Sequence, residues 1–297
     1  MIELLIDEQR RDLGGFEVAR VLPNARRRMV GPFIFFDHMG PKDLPRGLPR
    51  STDVRPHPHI GLSTVTYLFD GEIMHRDSIG SEQAIRAGAV NWMTAGRGIS
   101  HSERFELARA QGGSVHGIQS WVALPTEVEE TDPAFTHYDA SVLPSSRDDG
   151  VLMRLIAGDA LGVRSPVKTH SPLFYLHWQL ERGASAKLPD HHPERAIFIV
   201  SGELEIAGRD YRPGQLLIFS PHVEVVLRAM SPAVVMALGG EPLGHRYIEW
   251  NFVSSSHERI QQAKEDWRSG RFKLPVHDDQ EFIPLPADPL KPAPPMS

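Results

Sequence analysis

Residues 63–77 read Ser-Thr-Val-Thr-Tyr-Leu-Phe-Asp-Gly-Glu-Ile-Met-His-Arg-Asp, and this stretch indicates the fold class. β-Branched and aromatic residues dominate the segment before Asp70-Gly71, a composition that favours a strand. An Asp-Gly pair supplies the positive φ angles of a two-residue turn. The stretch therefore predicts a β-hairpin with strands at Ser63–Phe69 and Glu72–Asp77.

The same pattern recurs in the second half of the chain. Ala196–Val200 and Glu203–Ala207 flank Ser201-Gly202, which predicts a second hairpin. Each predicted hairpin is followed by an Arg-x-Gly motif and an apolar strand, in Arg86–Met93 and in Arg212–Phe219. Such repetition indicates a duplicated β-unit, so we predict an all-β protein of two tandem barrels.

Length and composition agree with two domains. The chain has 297 residues, beyond the usual size of one hydrophobic core, and its 25 Gly and 25 Pro suit short strands joined by tight turns. Ser256 is a candidate N-cap for a short C-terminal helix. We predict an N-terminal barrel (1–130), a linker (131–150), a C-terminal barrel (151–253), a helical segment (254–282) and a Pro-rich mobile tail (283–297).

Composition also excludes several classes of protein. The chain has no Cys, which rules out disulfides, thiolate-ligated zinc, iron–sulfur clusters and a Cys nucleophile. A formal charge of −6 argues against direct binding to nucleic acid. No apolar run reaches the roughly 18 residues of a membrane span, and no basic-then-apolar segment opens the chain. We expect a cytoplasmic protein that contacts neither membrane nor nucleic acid.

Two pairs of polar residues form a candidate metal site. His57 and His59 are separated by one residue, and in a strand such positions point to the same face. His101 and Glu103 repeat that spacing after a Gly-rich turn. A lone His-x-His is more often an ordinary histidine pair, but the second pair favours a site if the two segments lie opposite each other.

Three imidazoles and a carboxylate would fill four positions of an octahedron and leave two for substrate and dioxygen. We expect one divalent ion and take iron(II) as the first choice. Nickel, manganese, copper and zinc remain alternatives, because several of them bind such ligands more tightly than iron does.

The second half of the chain lacks an equivalent site. When the spacing of the first half is transferred to the second, its four positions fall on residues that form no such set: Leu188, Asp190, Leu227 and Ala229. An alternative, less favoured group has spacing that copies nothing in the first half: His191, His192, Glu194 and His222.

Three motifs resemble the pirin family of the cupin superfamily. They are Gly-Pro-Phe-Ile-Phe-Phe-Asp-His-Met-Gly at residues 31–40, Arg-Pro-His-Pro-His-Ile-Gly at 55–61, and Gly-Ala-Val-Asn-Trp-Met-Thr-Ala-Gly-Arg-Gly-Ile-Ser-His-Ser-Glu at 88–103. Gly-Glu-Pro-Leu-Gly at 240–244 and the following helix also look pirin-like. The resemblance implies a bicupin fold whose C-terminal barrel is metal-free, with His57, His59, His101 and Glu103 as metal ligands.

One departure from the general cupin pattern is shared with pirins. A general cupin would place a Glu a few residues after His-x-His, whereas Leu62-Ser63-Thr64-Val65 follows here and the carboxylate appears at Glu103. The linker and the Pro-rich extension beyond Glu281 match the family less closely. Partner contacts carried by those regions are therefore not transferred to this chain.

The resemblance implies quercetin 2,3-dioxygenase activity, in which dioxygen opens the central ring of a flavonol with release of carbon monoxide. The substrate class would be a small aromatic enolizable compound, for which quercetin can be a surrogate. Glu103 would accept the proton of the 3-hydroxyl group if it lies within hydrogen-bond reach. Five residues beside the ligand strands are candidates for an apolar substrate pocket, although core packing is the commoner role of such residues: Phe33, Phe35, Met39, Trp92 and Met93.

A second function is consistent with the same ligands. Eukaryotic pirins suggest a non-catalytic, metal- and redox-dependent regulator that acts through a protein partner. The acidic charge means that any effect on transcription would pass through such a partner rather than through direct contact with nucleic acid. Because both functions need the same metal site, its residues alone do not separate them.

Overall fold

The computed structural model describes residues 2–12 and 16–287. Its helices are α1 (Glu106–Gln111), α2 (His257–Arg268) and short 3-10 turns at Arg50–Thr52, Thr126–Val128 and Ala140–Val142. Its strands are β1 (Ile2–Asp7), β2 (Gln9–Asp12), β3 (Glu17–Leu22), β4 (Phe33–Leu44), β5 (Val54–His59), β6 (Leu62–Asp77), β7 (Glu82–Arg86), β8 (Val90–Thr94), β9 (Ile99–Arg104), β10 (Gly113–Ala123), β11 (Ala134–Tyr138), β12 (Ser145–Asp148), β13 (Val151–Ala160), β14 (Val163–Arg164), β15 (Leu173–Leu180), β16 (Ser185–Lys187), β17 (Glu194–Ser201), β18 (Leu204–Ile206), β19 (Arg209–Tyr211), β20 (Gln215–Phe219), β21 (Val226–Ala229), β22 (Ala233–Gly240), β23 (Tyr247–Glu249) and β24 (Phe252–Ser254). The all-β class is confirmed.

The hairpin predicted at Asp70-Gly71 is wrong, because β6 runs without interruption from Leu62 to Asp77. Residues before Gly71 pair with β10 and β8, whereas residues after it pair with β7 and β9. Gly71 has φ 91°, and a Cβ there would collide with the backbone carbonyl of Ser114. Gly71 therefore permits β6 to change strand partners and to lie close to the backbone of Ser114, and it does not reverse the chain.

Ser201-Gly202 forms no hairpin either, and for the same reason. β17 pairs with β20 and β22, whereas β18 after the glycine pairs with β19 and β21. The repeat itself is real at the backbone level. Gly88 donates its N–H to the carbonyl of Leu68 at 2.8 Å, and Gly214 donates to Ile199 at 2.8 Å, in corresponding places.

The chain divides into two compact units whose residues alternate along the sequence. Unit 1 takes its described residues from Met1–Arg11, Ala19–His38 and Tyr138–Pro242. Its larger sheet has the order β1-β20-β17-β22-β15-β13-β12, and a smaller one has the order β16-β21-β18-β19. The first strand of the chain, β1, pairs with β20, although the prediction from the sequence assigns residues 1–130 to the N-terminal barrel. The predicted boundaries stay a prediction.

Unit 2 takes its described residues from Asp12–Val18, Met39–His137 and Leu243–Ser297. Strands β11-β8-β6-β10-β4 are adjacent in its large sheet, while β9 bridges β5 and the second half of β6. One apolar cluster fills this unit beside α1: Phe16, Val18, Met39, Leu44, Leu48, Leu68, Ile73, Ile85, Ala89, Phe105, Ala108 and Val115. The arrangement places β5 and β9 side by side.

The predicted C-terminal helix is confirmed as α2. Ser256 caps it, because its Oγ accepts a hydrogen bond from the backbone N–H of Arg259 at 3.3 Å. Ile260 and Trp267 on its apolar face are buried against Ile60 and Phe252. No helix in the described part of the chain is long and apolar enough to cross a membrane.

The first residues of the predicted Pro-rich tail make specific contacts. Ile283 donates its backbone N–H to the carbonyl of Pro56 at 2.8 Å, and its own carbonyl accepts from Nε1 of Trp267 at 3.0 Å. Residues 288–297 of that tail lie outside the described residues. The mobility predicted for the tail stays a prediction.

Candidate metal centre

Three histidines converge between β5 and β9. The two strands are antiparallel, and His57 lies directly opposite His101 in their register. His59 points to the same side as His57, because alternate residues of a strand share a face. The ligand nitrogens of His57, His59 and His101 all lie within 4.8 Å of one another, and all three side chains are buried.

Hydrogen bonds orient two of these rings. Nδ1 of His57 is 2.9 Å from the carbonyl of Arg55, and Nδ1 of His59 is 3.1 Å from the carbonyl of Asn251. A carbonyl oxygen only accepts hydrogen bonds, so each Nδ1 carries the proton and each Nε2 keeps its lone pair. The Nε2 atoms of His59 and His101 are 3.1 Å apart. Two imidazole nitrogens this close together are placed to share a cation.

The protonation state of the three rings also suits metal binding. Burial lowers the pKa of His57 to about 4. Burial, followed by the neighbouring histidines, holds the pKa of His59 and of His101 well below the ordinary value. Neutral imidazole is the form that binds metal ions, and all three rings are neutral at pH 7 on this basis.

The donor set fits a divalent transition metal. Three neutral imidazoles suit zinc, copper, iron and nickel. A three-histidine metal-binding group is therefore present in unit 2. The donors do not by themselves select one metal among these.

Glu103 lies beside this group rather than within it. It is two residues beyond His101 on β9 and accepts a hydrogen bond from Oγ1 of Thr66 at 3.4 Å. Its oxygens are not among the ligand atoms that lie within 4.8 Å of one another. Burial raises the pKa of Glu103 to about 7, which the Thr66 hydroxyl partly offsets. Its role as a fourth ligand stays a prediction.

The strand register supplies a wall next to the histidines. Thr64 of β6 lies opposite Met93 of β8 and Trp121 of β10, so these three side chains share one face of the sheet. The ring of Trp121 meets that of His59 edge to face, with centroids 5.1 Å apart. One rung further, Oγ1 of Thr66 is 2.9 Å from Oε1 of Gln119, so its one hydroxyl proton is shared between this amide oxygen and the carboxylate of Glu103.

Sequence reasoning missed Trp121 and Gln119 as members of this wall. A signal for the wall was present in β6, where Thr64 and Thr66 occupy alternate positions of an apolar strand. Such alternation places both hydroxyl groups on one face of the strand. It does not tell which residues of β10 lie opposite, and these are fixed by the register.

Two of the predicted pocket residues, Trp92 and Met93, lie on opposite faces of the sheet. Met93 is on the same face as Thr64 and Trp121, whereas Trp92 pairs with Val65 and therefore points to the opposite face. Both tryptophan and methionine are almost fully buried. Met93 thus shares the face of Trp121, which contacts His59, whereas Trp92 does not.

The other three pocket candidates occupy core positions. The ring of Phe33 packs against Tyr175, with centroids 5.2 Å apart, in unit 1. Phe35 lies under the guanidinium of Arg20 at 4.2 Å, also in unit 1. Met39 belongs to the apolar cluster of unit 2. Their role as substrate-pocket residues stays a prediction.

Sequence reasoning also missed His75, which contacts His101, and Asp77, which contacts His75. Nδ1 of His75 is 3.3 Å from Nδ1 of His101, and Nε2 of His75 is 3.1 Å from Oδ2 of Asp77. The ring of His75 stacks on Phe135 with centroids 4.4 Å apart. Their signal is a His-x-Asp spacing in the second half of β6, which places both side chains on one face.

The alternative histidine group in unit 1 makes other contacts. Nδ1 of His192 is 3.1 Å from Oε1 of Glu241, and Oε2 of Glu194 accepts the N–H of Gly31 at 2.6 Å. Within residues 2–12 and 16–287, the one group of three or more potential metal ligands is formed by His57, His59 and His101.

Comparison with known proteins gives one family for the whole chain. Residues 15–122 match the Pirin family, and residues 175–273 match the Pirin C-terminal cupin domain. A pirin-like protein of Caulobacter vibrioides is 58% identical over 287 residues, which cover 96% of this chain and 100% of that protein. The two cupin domains predicted from the sequence are thus confirmed.

Other relatives carry the name of an activity. A Pseudomonas aeruginosa protein, provisionally named a quercetin 2,3-dioxygenase, is 36% identical over 93% of this chain and 87% of its own length. The crystal structure of a quercetin 2,3-dioxygenase from Acinetobacter baumannii superposes with a TM-score of 0.89 at 31% identity, covering 98% of this chain and 97% of that one. From the matched domains, these relatives and the three-histidine group, we conclude that the chain belongs to the pirin family.

Proposed function

We propose that this protein is a metal-dependent dioxygenase that opens the central ring of a flavonol such as quercetin and releases carbon monoxide. The observation that carries the proposal is the convergence of three buried imidazoles beside a buried carboxylate, with Glu103 two residues from His101 on one strand face. Relatives named quercetin 2,3-dioxygenase support the choice of substrate class.

Each residue of the site has a role in this proposal. His57, His59 and His101 hold the ion, and iron(II) is the metal we propose. When bound, the ion supplies a Lewis acid that favours the deprotonated form of the substrate hydroxyl. Glu103 accepts the proton of that hydroxyl, and Thr66 holds the carboxylate by its hydrogen bond.

The neighbouring side chains would select an aromatic substrate. Trp121 and Met93 present an apolar surface on the face of the sheet that carries Thr64. Such a surface removes water from the flavonol ring, while Gln119 offers an amide to its oxygen atoms. A planar, mostly apolar molecule with a few hydroxyl groups fits this combination.

The test starts from the metal-free protein. It is loaded anaerobically with iron(II), mixed with quercetin and then exposed to air, and the flavonol absorbance and released carbon monoxide are followed together. Equal molar loss of quercetin and gain of carbon monoxide is the expected result. The same assay with nickel, manganese, copper and zinc identifies the metals that support turnover.

A protein that retains one metal ion and turns over no flavonol with any of these metals would contradict the proposal. That result would favour the regulatory role, in which the ion acts on a protein partner. Quercetin loss without carbon monoxide would indicate simple oxidation of the flavonol rather than ring opening.

A further inference from the structure

His75 and Asp77 extend the hydrogen-bonded system of the site beyond its predicted ligands. Both lie on β6, two residues apart, and Asp77 is directly opposite His101 in the register of β6 with β9. Nδ1 of His75 faces Nδ1 of His101 at 3.3 Å, and its Nε2 faces Oδ2 of Asp77 at 3.1 Å. All three side chains are buried.

The surroundings of Asp77 determine which atoms donate and which accept in these hydrogen bonds. Its side chain is fully buried, and Oδ1 accepts backbone N–H groups from Ile79 at 3.1 Å and Ser81 at 2.9 Å. Those donors stabilise a carboxylate, which can only accept. His75 therefore carries its proton on Nε2, donates it to Oδ2, and presents a bare Nδ1 to His101.

The same logic continues to the metal site. A bare Nδ1 on His75 accepts, so His101 donates from Nδ1 and keeps a lone pair on Nε2, 3.1 Å from Nε2 of His59. His57 and His59 donate to backbone carbonyls, which cannot donate in return. His101 faces instead a ring that is able to donate or to accept, so a second group must set the direction.

We propose that Asp77 and His75 are positioning residues that lock His101 in the tautomer with a free Nε2, and thereby complete the three-histidine metal site. The inference rests on the metal site of the proposed function but not on its reaction. All readouts below use the metal alone, so an absence of flavonol turnover would count against the dioxygenase and leave this inference standing.

Asp77→Asn reverses the donor and acceptor roles in the hydrogen bonds that link residue 77, His75 and His101, with little change in the size of the side chain. The carbonyl oxygen of the new amide remains on the N–H groups of Ile79 and Ser81, and its NH2 donates to Nε2 of His75. His75 then donates from Nδ1, and His101 must carry its proton on Nε2, where the metal would bind. We expect metal affinity to fall by about 10- to 100-fold, the usual effect of losing such an outer partner.

Two variants of His75 test the same idea without changing Asp77. His75→Gln keeps the polarity, because an amide oxygen accepts from His101 while the NH2 group donates to the carboxylate; we expect affinity within about threefold of wild type. His75→Leu removes the acceptor and should lose about as much affinity as Asp77→Asn. This pair keeps the inference testable if Asp77→Asn fails to fold.

Asp53→Asn is the matched control, since it alters another buried carboxylate of unit 2, which accepts from Phe105 N–H at 3.1 Å and pairs with Arg109. Affinities for cobalt(II) come from chelator competition. Long-range 1H–15N correlation spectra of the metal-free proteins report the His101 tautomer, with His101→Gln assigning the signals. The inference would be overturned by a folded Asp77→Asn protein that keeps wild-type cobalt(II) affinity or unchanged His101 signals. It would also be overturned if Asp77→Asn lost no more affinity than Asp53→Asn, or if the two His75 variants had equal affinities.

Discussion

Prolines on both sides of His57 restrict the backbone that presents the first two ligands. Pro56 and Pro58 fix their own φ angles, and each also limits the residue before it to extended conformations. Less backbone freedom is therefore lost when His57 and His59 take up their places on β5. This local stiffness complements the carbonyl partners of both rings, which hold the imidazoles themselves.

His101→Ala should abolish metal retention and flavonol turnover together, because it removes one of only three imidazoles in the group. Metal stoichiometry of purified, reloaded protein and the quercetin assay measure the two effects. His222→Ala changes an exposed histidine and serves as the control. If one metal ion per chain is still bound by His101→Ala, the ligand set is wrong.

Glu103→Gln should separate proton transfer from metal binding. The amide keeps the size of the side chain but no longer accepts a proton as a base, so kcat should fall by about 10²- to 10⁴-fold. Metal stoichiometry should stay at one if the three histidines suffice to hold the ion. Glu127→Gln, at an exposed position, is the control. Full activity of Glu103→Gln would exclude this residue as the base.

At the scale of elements, the change of partners within β6 builds the site. Its first half pairs with β10 and β8 and carries the wall around Thr64, whereas its second half pairs with β9 and carries His75 and Asp77. One strand thus connects the wall with the groups behind His101. Gly71, between the halves, is the position that permits this course.

Gly71→Ala should destabilise unit 2 more than Gly80→Ala does. Both glycines have positive φ, at 91° and 97°, so both substitutions carry a similar backbone strain. Only at Gly71 would the new methyl group also collide with the carbonyl of Ser114, whereas nothing lies within 4 Å at Gly80. We expect an additional loss of about 1 to 3 kcal/mol in urea unfolding. Equal losses would show that the close approach is relaxed at no cost.

At the scale of the whole molecule, the two units use the repeat differently. In unit 1, an aliphatic and aromatic core includes Leu188 and Leu227, which the sequence comparison placed at two of the positions equivalent to the predicted ligands. Buried polar groups are costly unless they are partnered, and apolar side chains at these positions avoid that cost. His177 of unit 1 is a buried titratable group outside the site.

Acid should destabilise the protein in part through His177. Burial, and then the charge of Arg154, lowers the pKa of His177 from 6.5 to about 3. Above pH 6.5 the folded and unfolded states bind the same number of protons here; as pH falls below it, only the unfolded chain takes one up. Stability is therefore lost toward acid pH, by about 2 kcal/mol from this residue between pH 7 and 5.

His177→Gln should reduce that dependence, because the amide does not titrate. The measurement is urea unfolding of both proteins at pH 7 and pH 5, compared as the difference between the two pH values, so that any loss of stability common to both cancels. His222→Gln, at an exposed position, should leave the difference unchanged. An undiminished pH dependence in His177→Gln would show that His177 is already charged in the folded protein.

The sequence alone determined what local periodicity can encode. Composition identified β-structure, the i, i+2 spacing placed His57 with His59 and His101 with Glu103 on shared faces, and residue type located the Ser256 cap of α2. These features depend on neighbours a few residues away. They could therefore be derived before any fold was known.

Only the tertiary structure decided which strands meet and which groups orient the ligands. The continuation of β6 through Gly71, the pairing of β1 with β20 and the carbonyl of Asn251 at His59, 192 residues along the chain, all depend on distant partners. His75 and Asp77 share a face by spacing, but the contact of His75 with His101 arises only because β6 and β9 pair. Pairing is set by the packing of whole faces, which no local pattern specifies.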